Sequence, residues 1–307
     1  MTDSVIFTED LTKIYQGELG QKPTVGVEGL HLDVRPGEVF AFLGPNGAGK
    51  TSTLKLLTRL LMPTRGRALI FGEPVSDNRT MRRVGFVPEQ PNLYGYLTAA
   101  EMLDFIAKIF GLPASVRKKR ISDTLDRVGL AASGGLAVRT FSRGMMQRLG
   151  MAQALINDPD LLILDEPMSA LDPIGRKDFR DLILDLKNRG KTLFFSSHIL
   201  SDAELVADRC GILNRGRLVQ TGILGDLLES QTGSIEIAFI PAGGRPSAED
   251  LARFSFSEQG GNRVVRVTRP EDVTAVVAAV QAHGGRLVSV SPQRKSLEDV
   301  FMAEIGR

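Results

Sequence analysis

The stretch VFAFL-GPNGAGKTSTL, residues 39–54, constrains the fold more than any other part of the chain. VFAFL reads as a short strand buried on both faces, the texture of a central strand in a parallel sheet. It runs into a loop where six of the eleven residues from Gly44 to Leu54 are glycine, serine or threonine, and Lys50 is the only charge. The loop matches G-x-x-x-x-G-K-[ST], and a helical pattern follows to about Leu61, ahead of Pro63. Glycines let consecutive backbone N–H groups turn toward one point, and the helix adds the positive end of its dipole. Gly44, Pro45, Asn46, Gly47, Ala48, Gly49, Lys50, Thr51 and Ser52 therefore read as a cradle for phosphates. Lys50 supplies a point charge to the β- and γ-phosphates, and Thr51 offers a hydroxyl to Mg²⁺.

LLILDEP narrows the chemistry. Asp165 ends a second buried strand, where it can hold a metal through water. Glu166, next to it, is placed to polarise an attacking water as a general base. The plainer reading of the pair is an N-cap with a solvated neighbour; beside a phosphate loop the catalytic reading is preferred.

Short apolar runs (VFAFL, LLIL and TLFF) alternate with helical patterns, which argues for an α/β fold with a largely parallel core sheet. Thr98 and Glu101 form a capping-box pattern for a helix ending near Gly111. Ser142 starts a second helix, and Asp172-Pro173 a third that ends near Gly190. Residues 90–158 read as a helical subdomain set into the core. After about residue 230 the order becomes β-α-β-β-α-β, the ferredoxin-like pattern, with a short helix at 247–253, strands at 254–258 and 263–268, a helix over 270–282, a strand RLVSV and a closing helix SLEDVFMAEIG. Val264, Val265, Val267, Val273, Val276, Val277 and Val280 are available for its core.

Composition removes several alternatives. The chain has 307 residues, 42% of them hydrophobic, enough for one large domain or two unequal ones. Its 38 basic and 36 acidic residues leave +2, which gives no electrostatic case for a nucleic-acid partner. The basic run Arg117-Lys118-Lys119-Arg120 lies in a helical pattern and reads as a solvated face. The lone Cys210 excludes an internal disulfide, fits a reducing compartment and reads as a core residue. No run reaches the roughly 18 apolar residues of a membrane span, and the N-terminus does not read as a signal peptide. Work at a membrane would therefore pass through another chain.

At this point the residues resemble a family, the ATP-binding subunits of ATP-binding-cassette (ABC) transporters. FSRGMMQR (141–148) resembles the LSGGQ-like signature, keeping Ser142 and Gly144, with Phe141 for Leu, Arg143 for the first Gly and Met145 for Gln. MSALD (168–172) resembles the D-loop, and SSHIL (196–200) the switch segment with His198. GFVPEQPNLYGYLT (85–98) resembles the Q-loop region, and Tyr15 matches the aromatic that stacks on adenine. Glu89 stands at the usual glutamine position and Gln90 follows; Glu89 is taken as the equivalent, able to reach Mg²⁺ or the attacking water. The plainer readings are a core histidine for His198, surface packing for Tyr15 and simple helix capping for Ser142.

The resemblance covers about residues 5–228. It implies a P-loop NTPase of ABC type over residues 1–230, joined to a small α+β accessory domain over 231–307. It implies ATP and Mg²⁺ as cofactors, with Thr51, Asp165 and Glu89 toward the metal and Glu166, His198 and Glu89 in the chemistry. Each ATP would lie between the phosphate loop of one copy and Ser142 and Gly144 of another, making a homodimer. The partner implied is a separate transmembrane permease, gripped by the apolar PNLYGYLTAAEML segment unless Tyr94, Tyr96 and Leu97 only pack the subdomain. The chain would sit peripherally on the cytoplasmic face of the inner membrane and drive export. The alternative is a soluble ABC ATPase acting on a non-membrane partner. The neutral C-terminal domain, with nine basic and nine acidic residues, is expected to regulate or stabilise the dimer. Leu297, Val300 and Phe301 form one apolar face, set against its own domain or the partner copy.

Overall fold

The apolar runs and their turns set the order of elements. β1 (Ile6–Tyr15) and β2 (Thr24–Val34) pair antiparallel. β3 (Val39–Leu43) is buried at every position and enters α1 (Lys50–Leu57) through the glycine loop. β4 (Arg65–Ile70) and β5 (Glu73–Pro74) complete a four-stranded antiparallel sheet, β2-β1-β4-β5. A short helix, α2 (Asn78–Met81), leads to β6 (Val84–Val87). The helical insertion holds α3 (Ala99–Ile109), α4 (Ala114–Arg127) and α5 (Arg143–Leu155). Then come β7 (Leu161–Leu164), α6 (Pro173–Asn188), β8 (Thr192–Ser197), α7 (Leu200–Val206), β9 (Arg209–Asn214) and β10 (Arg217–Ile223).

The second sheet has the order β10-β9-β3-β8-β7-β6, parallel from β9 to β6, with β10 antiparallel at one edge. Strands covered on both faces explain the continuous apolar texture of VFAFL, LLIL and TLFF. Phe194 stacks on Phe40 at 5.7 Å between ring centroids and meets Phe42 at 5.4 Å, all three fully buried. Cys210 on β9 is buried, and burial pushes its thiol up to about 12, as befits a small core residue.

This computed structural model describes residues 4–17, 22–229, 234–241, 254, 256–259, 262–267, 269–293, 297–298 and 301–302. Two compact units divide after Leu224, so α8 (Leu224–Glu229) begins at the division. The second unit holds β11 (Ser234–Ile240), β12 (Phe256–Gln259), β13 (Asn262–Val267), α9 (Pro270–Ala282) and β14 (Arg286–Gln293). Its antiparallel sheet runs β12-β13-β11-β14. The core is Ile237, Phe239, Val265, Val267, Val276 and Val280. Val264 is buried opposite Ala238, but strand alternation puts it on the other face of the sheet from Val265 and Val267. The expected helix at 247–253 lies outside the described residues, as do Val300 and most of the closing helix.

Helix starts follow their caps. Thr98 and Glu101 make the reciprocal capping box, Ser142 caps α5 through the Met145 N–H, and Asp172 caps α6 ahead of Pro173. One boundary differs from expectation: α1 ends at Leu57 rather than near Leu61. Arg59 adopts φ 60°, and the Leu60 and Leu61 N–H groups both donate to the Lys55 carbonyl, a left-handed termination without glycine. The basic run sits on α4, where Arg117 pairs with Asp104 at 2.8 Å and Lys119 with Asp123 at 2.7 Å. Thr98 and Ala137 form a β-bridge, and the Val138 and Arg139 N–H groups donate to Leu97 and Gly95, so α3 and α4 leave and return at one place. Among the described residues no helix is long and apolar enough to cross a membrane.

The aromatic stack at the sheet centre generates a test. Phe194→Ala empties a fully buried ring site that the surrounding strands cannot collapse into. The expected cost is about 3–5 kcal/mol of unfolding free energy, read as a lower urea midpoint at unchanged slope.

Candidate active site

Parallel strands end on the same side of a sheet, and that rule assembles the site. β3 delivers the glycine loop, β6 is followed by Pro88 and Glu89, β7 by Asp165 and Glu166, and β8 by His198. These strands lie in the order β3-β8-β7-β6, so their carboxyl ends form one row. The turn into α1 depends on Gly49, which adopts φ 108°; a Cβ there would lie 2.0 Å from the Gly26 carbonyl oxygen. Any side chain would displace backbone, so glycine is required.

The charged groups form a connected network. Lys50 Nζ donates to the Gly44 and Pro45 carbonyls at 2.7 and 3.2 Å and lies 3.1 Å from Glu166 Oε1. The two side chains are only 6% and 8% exposed, so neither charge is satisfied by water. The other carboxylate oxygen of Glu166 is 2.7 Å from His198 Nδ1 and also faces the His198 backbone N–H. Thr51 Oγ1 donates to Asp165 Oδ1 at 3.2 Å, and Ser196 Oγ donates to that same oxygen at 2.7 Å. Ser196 Oγ in turn accepts from the Glu166 N–H at 2.9 Å. Glu166 adopts φ 47°, a left-handed conformation that costs about 1–3 kcal/mol in a residue with a side chain. The serine bond and the buried Lys50 hold it there.

A cavity of about 550 Å³ is lined by Tyr15, Gly26, Pro45, Asn46, Gly47, Gly49, Lys50, Thr51, Ser52, Glu89, Glu166 and His198. It therefore gathers the sequence-derived aromatic, loop, carboxylate and histidine residues in one space. Gly44 and Ala48 belong to the same loop without lining the cavity; Lys50 bonds the Gly44 carbonyl, and the Ala48 carbonyl accepts from the Gly216 N–H. Asp165 lines an adjoining cavity of about 510 Å³ with Gln90, and the two cavities share Thr51 and Glu89. Glu89 thus reaches the Lys50 side, whereas Gln90 faces only the second space. Ser142 and Gly144 line neither cavity; they lie at the start of α5. Sequence reasoning did not single out Ser196 or Gly26, although the serine pair ahead of His198 was a visible signal.

The arrangement suits an anionic ligand bearing phosphates: backbone N–H groups and Lys50 at one end, an aromatic ring at the other. Thr51, Asp165 and Glu89 offer oxygens only, the donor type that Mg²⁺ accepts. Among the described residues no group of three or more His, Cys, Asp or Glu is placed to hold a metal ion.

Comparison with known proteins agrees with this geometry. Residues 27–169 match the model of the ABC transporter family. An uncharacterized ABC transporter ATP-binding protein of Nostoc sp. is 44% identical over 317 residues, covering 100% of this chain and 91% of its own. The Nod factor export ATP-binding protein I of Cupriavidus metallidurans is 34% identical over 286 residues, with 92% of this chain and 93% of its own covered. The ATP-binding cassette MJ0796, solved as a dimer in a post-hydrolysis state bound to ADP and Pi, superposes with a TM-score of 0.66 at 26% identity, over 71% of this chain and 98% of its own. The chain belongs to the ATP-binding subunits of ABC transporters, the ATPases that drive transport.

Proposed function

We propose that the chain powers an exporter whose membrane-spanning part is a separate chain, and that two copies close on ATP to do so. The observation that carries this reading is the meeting of Lys50, Thr51, Glu89, Glu166 and His198 in one cavity, with Ser142 and Gly144 outside it. A second copy would bring its capped α5 start to the open side, as the dimeric MJ0796 cassette supports. Export follows the likeness to the Nod factor export protein over nearly the whole chain. The place of work is then the cytoplasmic face of the inner membrane.

The residues divide the work as follows. Tyr15 receives the adenine, and the loop N–H groups of Gly47 and Gly49 hold the phosphates. Lys50 leaves Glu166 for the β- and γ-phosphates, which frees the carboxylate. Glu166 then takes a proton from water as the water oxygen bonds to the γ-phosphorus and the bond to the β,γ-bridging oxygen breaks, leaving ADP and phosphate. His198, already against Glu166, holds it and contacts the γ-phosphate. Thr51, Asp165 and Glu89 are the residues that would hold Mg²⁺, which when bound neutralises phosphate charge.

The helical insertion carries the contact with the membrane chain. Tyr94 and Tyr96 are 48% and 77% exposed, which leaves ring surface open to a partner. Their rings lie 5.9 Å apart, and Tyr94 meets Phe105 edge-on at 6.0 Å. This aromatic wall borders a groove of about 860 Å³ that Glu101, Asp104, Lys108 and Arg117 also line. A short cytoplasmic helix of a permease fits such a groove.

Three outcomes are expected. Purified from detergent-solubilised membranes of its own host, the chain brings with it a chain of several apolar spans; recovery only in the soluble fraction would favour the non-membrane ATPase instead. Glu166→Gln lowers turnover by about 10²–10⁴ while retaining ATP, and elutes as a dimer in sizing chromatography with ATP; near-normal turnover removes Glu166 as the base. Truncation after residue 230 leaves ATP affinity of the monomer unchanged, because the first unit holds the whole cavity. It weakens ATP-driven dimerisation or shifts the basal ATPase rate; loss of affinity, or no change in either, argues against a dimer-regulating C-terminal domain.

A further inference from the structure

β2 carries a glycine where it borders the nucleotide cavity. Gly26 sits at a break in register: Lys13 pairs with Val27 and Ile14 with Val25, so the ladder passes over it. A glycine inside a strand marks a bulge or a close approach by some other group. Gly26 is not among the left-handed glycines, so backbone conformation does not demand it. Space does. A Cβ at Gly26 would lie 2.6 Å from Tyr15 Cε2, 3.3 Å from Tyr15 Cδ2 and 3.2 Å from Ser52 Oγ. One edge of the Tyr15 ring therefore rests on bare backbone. The tip of the ring is held as well, since the Tyr15 hydroxyl and Ser52 Oγ share a hydrogen bond of 2.9 Å. Ser52 follows Thr51 on α1, so this bond ties the ring to the helix that starts at the phosphate loop. Tyr15, Gly26 and Ser52 all line the same cavity.

We infer that Gly26 and the Ser52 hydroxyl are positioning groups for the nucleotide base: the absent side chain leaves the room that Tyr15 occupies, and the hydroxyl fixes the ring there. The inference rests on the reading that Tyr15 receives the adenine. A ring held at edge and tip presents its face already ordered, so binding does not first have to immobilise it. Gly26→Ala puts a methyl where the ring edge lies. Tyr15, on the open rim of the cavity, is the neighbour able to move, and moving breaks its bond to Ser52. The base then loses its platform while the phosphate loop keeps its shape.

The test is equilibrium binding of ATP and of inorganic tripolyphosphate to the full chain, at concentrations where sizing shows a monomer. The variants are Tyr15→Ala, Tyr15→Phe, Gly26→Ala and the Gly26→Ala/Tyr15→Ala pair. Base–aromatic stacking is worth about a tenfold change in affinity or more. Gly26→Ala is therefore expected to weaken ATP about tenfold, to leave tripolyphosphate unchanged, and to add nothing in the Tyr15→Ala background. Parental ATP affinity in Gly26→Ala beside a weakened Tyr15→Ala overturns the inference and leaves the Tyr15 reading standing. Parental affinity in Tyr15→Ala overturns that reading and the inference with it. Equal losses of ATP and tripolyphosphate, or additive losses in the pair, assign Gly26 to loop integrity and overturn the inference. Should Gly26→Ala show no cooperative melt, Tyr15→Phe decides: a severalfold loss confined to ATP sustains the inference, and parental affinity overturns it.

Discussion

Parallel pairing of β3, β8, β7 and β6 is the constraint on which the molecule depends. Each strand is too short to carry a site, and the residues after them are far apart in sequence. Parallel hydrogen bonding forces the four strands to finish on one side, so four separate turns meet. The cost is burial on both faces, which is why Leu, Val, Ile and Phe dominate these strands, with β8 ending in Ser196 and Ser197 beside the site. Chemistry-bearing residues are thereby pushed past the strand ends, where Glu89, Asp165, Glu166 and His198 all sit.

Electrostatics then determine how these charges are held in a dry place. Lys50 and Glu166 neutralise each other within the protein, and the loop carbonyls complete the lysine. A buried cation without a partner would cost several kcal/mol, so the pairing of Lys50 with Glu166 keeps both charges compensated. Ser196 adds the mechanical link, since one hydroxyl serves both the Asp165 carboxylate and the Glu166 backbone.

Much of this was legible in the residues because local rules and the global fold agree. The G-x-x-x-x-G-K-T loop, the strand before it, and the caps at Thr98, Ser142 and Asp172 all follow from short-range chemistry. The end of α1 was not legible, because a left-handed Arg59 has no sequence signature comparable to glycine. Gly26 was also silent. A lone glycine in a strand pattern acquires meaning only when a ring from another strand is seen against it. The second unit shows the same limit: of the seven valines expected in its core, alternation turns Val264 to the other face of the sheet and Val277 lies outside the core cluster. The Lys50–Glu166 contact joins residues that neither spacing nor pattern connects.

The Thr98–Ala137 bridge joins the two ends of the segment that holds α3 and α4, so residues 99–136 leave and return at one place. Loop-closure cost grows only slowly with the number of residues enclosed. Such an arm can lengthen, shorten or be replaced without moving the strand ends that hold the cavity. Descendants of one ancestral cassette could therefore remodel this appendage while the hydrolytic apparatus is inherited unchanged.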